Sequence, residues 1–350
     1  MDIKKIQAAD VEGKKVLLRV DFNSAVSEDT VKEKFKIQAA DETVRYLLAL
    51  NAKVALITHL GRPEGKPDQK FSLNPIKDDV EYILSHKVKF VPDCVGEKVM
   101  ETMNGLQEGE IAFLENVRFY PGDESNDEEF AKKLASGFDV FVNDAFSVCH
   151  RNQASVTGVA KILPSYAGFW LQKEIEEMEK IKSNPEKPAV AVIGGAKIET
   201  KLPMIKFFEG IYDNVLVGGK VANEALEQKI QFSEKVLLPN DFIDDRMDIG
   251  TETLVKFKEI IEKAKTIVWN GPTGKFEEEK YATSTNEILK SVLASSAYVL
   301  IGGGETLEVL EKNNAMGEIQ KRGFVSTGGG AMLDYLGGQP MPGIDALRSN

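Results

Sequence analysis

The chain has 350 residues, with 44 Lys+Arg against 55 Asp+Glu and a formal net charge of −11. Its 42% hydrophobic and 28% charged content fits a soluble protein of about two domains, and the acidic balance argues against a general nucleic-acid binder or a basic membrane-surface protein. No run approaches the roughly 20 apolar residues that span a bilayer, and two cysteines with three histidines leave no disulfide framework and no His- or Cys-rich metal site.

Met1-Asp2-Ile3-Lys4-Lys5 lacks the apolar stretch of a secretion signal, so the expected compartment is the cytoplasm. Apolar runs predict strands at Val16–Val20, Val54–Thr58, Val88–Val91, Ile111–Leu114 and Val140–Val142, alternating with helical patterns such as Thr43–Ala49 and Asp127–Leu134. A strongly helical stretch follows, with apolar positions at Leu171, Ile175, Met178 and Ile181, and it stops before Asn184-Pro185 and Pro188. Further strands are expected at Ala189–Ile193, Val215–Val217, Ile267–Trp269, Tyr298–Ile301 and Gly323–Val325, each running into glycine. Short continuous apolar runs separated by helices are the pattern of buried parallel strands. The fold class expected is α/β, with two doubly wound parallel-sheet (Rossmann-like) domains joined by a hinge helix over Leu171–Ile181.

Ligands of open α/β sheets bind at the carboxyl ends of the strands. In the first half those ends carry Asp21, Asn23, His59, Arg62, Arg118 and Arg151. Three arginines and a histidine suit a small anion bearing phosphate or carboxylate groups, although any one arginine alone is better explained by a surface ion pair. In the second half the strand ends carry glycine, which lets backbone N–H groups approach an anion beside a helix N-terminus. One Gly-Gly pair would be only a tight turn; five in one half point to a nucleotide cradle. Lys197 and Lys201 follow Gly194-Gly195-Ala196, and Pro203 is expected in the first turn of the next helix, which puts the lysines at the helix start, where they can neutralise a transferring phosphoryl group. No G-x-x-x-x-G-K-[ST] and no G-x-G-x-x-G occurs, which disfavours a P-loop NTPase and an ordinary Rossmann dehydrogenase.

Ordered along nearly the whole chain stand Arg19-Val20-Asp21-Phe22-Asn23, His59-Leu60-Gly61-Arg62-Pro63, Leu114-Glu115-Asn116-Val117-Arg118-Phe119, Val142-Asn143-Asp144-Ala145-Phe146, His150-Arg151, Gly194-Gly195-Ala196-Lys197, Trp269-Asn270-Gly271-Pro272, Phe276-Glu277, Gly302-Gly303-Gly304 and Ser326-Thr327-Gly328-Gly329-Gly330. Together they resemble the phosphoglycerate kinase family. The resemblance implies reversible phosphoryl transfer between 1,3-bisphosphoglycerate and ADP, giving 3-phosphoglycerate and ATP, with Mg2+ and hinge closure, in a monomer. It implies a phosphoglycerate-binding domain over 1–168, a nucleotide-binding domain over 169–337, and a segment 338–350 that packs back on the first. By matching positions, Asp21, Phe22, Asn23, Lys36, His59, Leu60, Gly61, Arg62, Arg118 and Arg151 would hold phosphoglycerate. Gly195, Lys197, Lys201, Gly219, Asn270, Glu277, Gly302, Gly303, Gly304, Glu305, Thr306, Gly328 and Gly329 would hold the nucleotide, Glu305 its metal, and Lys36, Lys197 and Lys201 would act on the transferring group.

Several positions depart from the family pattern. Lys36 stands where the family has arginine, and no arginine lies between Arg19 and Arg45 to replace it. Lysine keeps the charge and loses the planar fork, so a slower enzyme is expected. Glu305 replaces an aspartate, Lys220 and Ser147 each replace a glycine, and Ser24-Ala25-Val26 replaces a Val-Pro turn. The chain is also shorter than the family norm, mainly between Ala222-Asn223 and Leu237-Leu238-Pro239, which trims the rim around the base. Lys36 and Glu305 motivate two other readings: a non-catalytic binding homologue, and a kinase for another acyl phosphate.

Overall fold

The computed structural model describes residues 2–24, 26–27, 30–31 and 34–349; Ala25, within the altered turn after Asn23, and Asn350 lie outside the described residues. The first six strands are β1 (Lys15–Arg19), β2 (Lys53–Ile57), β3 (Val88–Val91), β4 (Ile111–Leu114), β5 (Val140–Asn143) and β6 (Ser165–Ala167). They form one sheet in the order β3-β4-β2-β1-β5-β6, parallel throughout. The continuous apolar runs have a simple cause. Val16 and Leu18 of β1, Val54 and Leu56 of β2, and Ile111 and Phe113 of β4 bury into one core. The alternating residues Leu17, Ala55, Ile57, Ala112 and Leu114 bury into a second core on the opposite face. Helices cover both faces, so both alternating sets of these β1, β2 and β4 positions are apolar, and polar residues such as Arg19 of β1 and Asn143 of β5 stand at strand ends.

The next six strands are β7 (Ala189–Ile193), β8 (Asn214–Val217), β9 (Val236–Leu237), β10 (Thr266–Asn270), β11 (Tyr298–Ile301) and β12 (Gly323–Val325). Their order is β9-β8-β7-β10-β11-β12, again all parallel. This is the doubly wound order, in which the direction of winding reverses between the first and fourth strands, here β7 and β10. In the first sheet the reversal lies between β1 and β5. Both sheets are therefore of the expected α/β class. Within these two sheets two strands were not expected, β6 and β9; each is short and sits at a sheet edge.

The chain divides into two compact units, Met1–Ile175 with Met341–Asn350, and Glu176–Pro340. The helix Phe169–Ser183 carries the chain across the boundary, and all four of its expected apolar positions are buried. Residues 341–349 belong to the first unit by direct contact. Gly343 N donates to the Cys149 carbonyl at 2.8 Å, Lys4 N donates to the Leu347 carbonyl at 2.8 Å, and Ile3 pairs with Arg348. Among the described residues no helix is long and apolar enough to cross a membrane.

Candidate substrate and nucleotide sites

In the first unit the loops after β1, β2 and β4 are fastened to one another by side chains. Asn23 N donates to Asp21 Oδ1 at 3.0 Å, and Asn23 Oδ1 accepts from Gly61 N at 2.8 Å. Phe22 N donates to Thr58 Oγ1 at 3.0 Å, and Asn116 Nδ2 reaches the Leu60 and Phe71 carbonyls at 2.8 and 2.9 Å. Arg118 Nη1 donates to the Gly61 carbonyl at 2.8 Å. Gly61 has φ +61°, and a Cβ there would lie 2.4 Å from the Phe71 ring, so this corner accepts only glycine. Lys36, in the short helix Lys34–Gln38, donates from Nζ to the Asn23 carbonyl at 2.7 Å.

The charges crowd one another. Arg118 is 2% exposed, and its nearest acid is Glu124, 3.5 Å from Nε. Its Nη2 is buried with no hydrogen-bond partner among the described residues. Burial, then Arg151 and Arg19, push its pKa down to about 10. His59 is also buried, and burial, then Arg19, Arg118, Arg151 and Lys36, hold it well below 6.5. Cations that depress each other in this way are relieved by an anion. The structure thus brings Asp21, Asn23, Lys36, His59, Gly61, Arg118 and Arg151 into one neighbourhood, with Phe22 and Leu60 buried behind them. Arg62 is on the same loop as His59 and is exposed.

In the second unit four helices start directly after strands: Ile198–Ile211 after β7, Gly219–Glu227 after β8, Gly304–Lys312 after β11 and Gly329–Leu336 after β12. Their N-termini, with partial positive charge, gather at the carboxyl edge of the sheet. At the reversal of winding the loops after β7 and β10 touch. Gly271 has φ +94°, and a Cβ on it would lie 2.3 Å from the Gly194 carbonyl oxygen. Gly195 N donates to the Pro272 carbonyl at 2.8 Å, and Gly271 N to Thr306 Oγ1 at 2.7 Å. Thr306 is fully buried and fastens this loop from behind.

Lys197 is exposed at the cap of its helix, while Lys201 is 8% exposed and donates to Asn270 Oδ1. Burial lowers the Lys201 pKa to about 8, against the opposing pull of Glu305. Pro203 stands in the second turn of this helix, not the first as expected from its preference for helix starts; the helix begins at Ile198, whose N–H is taken by Glu224 Oε2 at 2.7 Å. A cavity of about 410 Å³ opens here, lined among others by Gly195, Gly219, Lys220, Pro272, Glu277 and Glu305. Its size is that of a small-molecule pocket. Gly302, Gly303, Gly304, Gly328 and Gly329 lie outside its lining; Gly303 and Gly329 are packed against each other. Of the altered positions, Lys220 has its Nζ 3.8 Å from Glu224 Oε1, and Ser147 Oγ is buried without a hydrogen-bond partner among the described residues.

Glu305 stands in the first turn of its helix, beside Gly195, and burial raises its pKa while Lys201 lowers it. Among the described residues no group of three or more His, Cys, Asp or Glu could hold a metal alone. One carboxylate with room for phosphates suits Mg2+, which takes few protein ligands and keeps substrate oxygens and water. Sequence reasoning missed Arg19 as a site residue; a single charge inside an apolar run was the available signal, since such a charge is buried only when paired. It also missed Asn223 and Met247, which line the cavity; nothing in their local pattern marks them.

A sequence model described as phosphoglycerate kinase matches residues 6–245 and 231–339. The two matches overlap in the stretch where the chain is short. Similar proteins include the phosphoglycerate kinases of Coprothermobacter proteolyticus, 37% identical over 392 aligned positions covering 99% of each chain, and Finegoldia magna, 38% identical over 395 positions covering 99% of each. Alignments longer than the chain itself mean that these relatives carry residues it lacks. Solved structures of phosphoglycerate kinase from Coxiella burnetii and Pyrococcus horikoshii superpose with TM-scores of 0.81 and 0.83 at 32% and 30% identity, each covering 99% of this chain and 98% of the other.

Proposed function

The chain belongs to the phosphoglycerate kinase family and is a phosphotransferase with a carboxyl group as acceptor, and from that premise we propose how its two units divide the reaction. The first unit holds 3-phosphoglycerate or 1,3-bisphosphoglycerate, and the second holds ADP or ATP. The observation that carries this division is the contrast in donors: mutually repelling cationic side chains in the first unit, helix N-termini and a nucleotide-sized cavity in the second.

Arg118, Arg151, Arg62 and His59 bind and orient the phosphoglycerate, with Asp21 and Asn23 setting the loop that presents them. Lys197 and Lys201 contact the nucleotide phosphates, Glu277 the ribose, and Gly195, Gly219 and the loops at Gly302–Gly304 and Gly328–Gly329 the rest of the nucleotide. Glu305 would hold the Mg2+ of the metal–nucleotide, which shields phosphate charge. Phosphoryl transfer needs alignment and charge neutralisation more than covalent help. Closure about the helix Phe169–Ser183 would align the two reactants and exclude water. Lys36, Lys197 and Lys201 supply positive charge to the transferring group. The protein acts in the cytoplasm as a monomer.

The test is turnover of 3-phosphoglycerate with Mg·ATP, coupled to NADH oxidation through glyceraldehyde-3-phosphate dehydrogenase. Turnover is expected. Binding of both ligands without turnover would refute catalysis, and turnover only with another carboxylate would refute the substrate; sedimentation of the active species checks the monomer.

A further inference from the structure

Arg19 ends β1 directly after its apolar run Val16–Leu18 and is fully buried. A buried guanidinium is tolerated where its N–H groups find acceptors. Its Nε donates to Ser155 Oγ at 3.3 Å, its Nη1 to the Val20 carbonyl, and its Nη2 reaches His59 Nδ1 at 3.1 Å. A guanidinium has donors and no acceptor, so the last contact has one polarity: Nδ1 offers its lone pair. A neutral imidazole whose Nδ1 accepts carries its proton on Nε2.

We infer that Arg19 is a positioning residue: it fixes His59 as the neutral Nε2–H tautomer, so that the ring meets substrate as an uncharged donor. This rests on the assignment of His59 to the phosphoglycerate site. The surroundings act in the same sense. Burial, then Arg19, Arg118, Arg151 and Lys36, disfavour the doubly protonated, charged ring, while the Arg19 Nη2 contact selects which nitrogen of the neutral ring keeps its proton. Around Arg19 stand Asp123 and Asp21, which favour its charge, Arg151, which opposes it, and the buried Cys149. Asp123 Oδ1 also accepts from Ser155 N at 2.9 Å, so one carboxylate both balances Arg19 and holds the residue that orients it.

The arrangement has a chemical use. A charged imidazole would add to the repulsion among the cations already present. A neutral N–H adds direction without adding charge, and its donor state does not change through the neutral pH range.

Nitrogen-15 NMR of the imidazoles in the full-length protein tests this directly; with three histidines in the chain, His59→Gln assigns the signal. A pyrrole-like Nε2 and a pyridine-like Nδ1 are expected, unchanged from pH 8 to about pH 6. A proton on Nδ1, or titration near the ordinary 6.5, would overturn the inference, and this measurement stands whether or not any variant folds. Arg19→Met removes the donor: mixed tautomers, a higher His59 pKa and an about tenfold higher KM for 3-phosphoglycerate are expected, with kcat changed less. A single unchanged tautomer in folded Arg19→Met would also overturn it. Adding 3-phosphoglycerate should shift the Nε2 resonance; the predicted tautomer with no shift would refute the site assignment instead.

Discussion

On the division proposed above, the two units meet the same problem, holding an anion in an acidic protein, with different chemistry. The first uses long side chains, and its loops are tied by Asn23, Asn116 and Arg118 so that the charges keep their places. The second uses backbone, bringing loops so close that a methyl group does not fit between Gly194 and Pro272. The difference matches the ligands proposed for them. A small substrate with a carboxylate and phosphates is recognised by directional charges at fixed points. A nucleotide's phosphate chain lies along helix N-termini, where the donors are already aligned and any side chain would hold it off.

Five substitutions and one pH titration would break or sharpen this contrast. The largest effect is expected from Gly194→Ala, whose Cβ would lie 2.0 Å from the Pro272 carbonyl oxygen. A loss of roughly 3 kcal/mol is expected in denaturant titration, whereas Gly304→Ala, which meets open space, should stay within about 0.5 kcal/mol of wild type. Equal costs would mean that close backbone approach is not what shapes the cradle. Arg118→Met should weaken 3-phosphoglycerate binding about a hundredfold and leave nucleotide binding within about twofold by calorimetry. A comparable loss of both ligands would contradict the division of labour.

Lys201 connects the two strategies, as a buried side chain within the backbone cradle. Its cationic form is lost as pH rises through about 8, so nucleotide affinity should fall roughly tenfold from pH 7 to pH 9. Lys201→Met should bind weakly and flatten that slope; a slope that persists in the variant assigns it elsewhere. The smallest effect expected is from Lys36→Arg. Restoring the planar fork should raise kcat by a few-fold in the coupled assay, and an unchanged or lower kcat would remove the explanation based on donor geometry.

Much of this was legible in the sequence because both sheets are buried on both faces. Runs such as Ala189–Ile193 and Ile111–Leu114 admit no polar interruption, so their limits read directly. β6 and β9 escaped because three- and two-residue edge strands carry too little pattern. Candidate site residues were legible where they follow a strand, as His59 and Arg118 do. Their state was not. That Lys201 is buried while Lys197 is exposed depends on how the helix from Ile198 packs, and the Arg19–His59 contact joins residues 40 apart in sequence. Pro203 was misplaced because its preference for first turns is a tendency, and the helix start is fixed by Glu224 from another helix.

The segment 341–349, which closes against Cys149 and Lys4, makes the second unit an insertion within the first. A Cβ on Gly343 would lie 2.7 Å from Val156 and 2.8 Å from Cys149, next in sequence to Ser155 and near Arg151. During synthesis residues 176–340 are therefore complete, and free to fold, before the first unit receives its last piece. Domains usually mature in the order in which they emerge from the ribosome. Here that order is inverted: the part that holds the charged side chains is begun first and finished last.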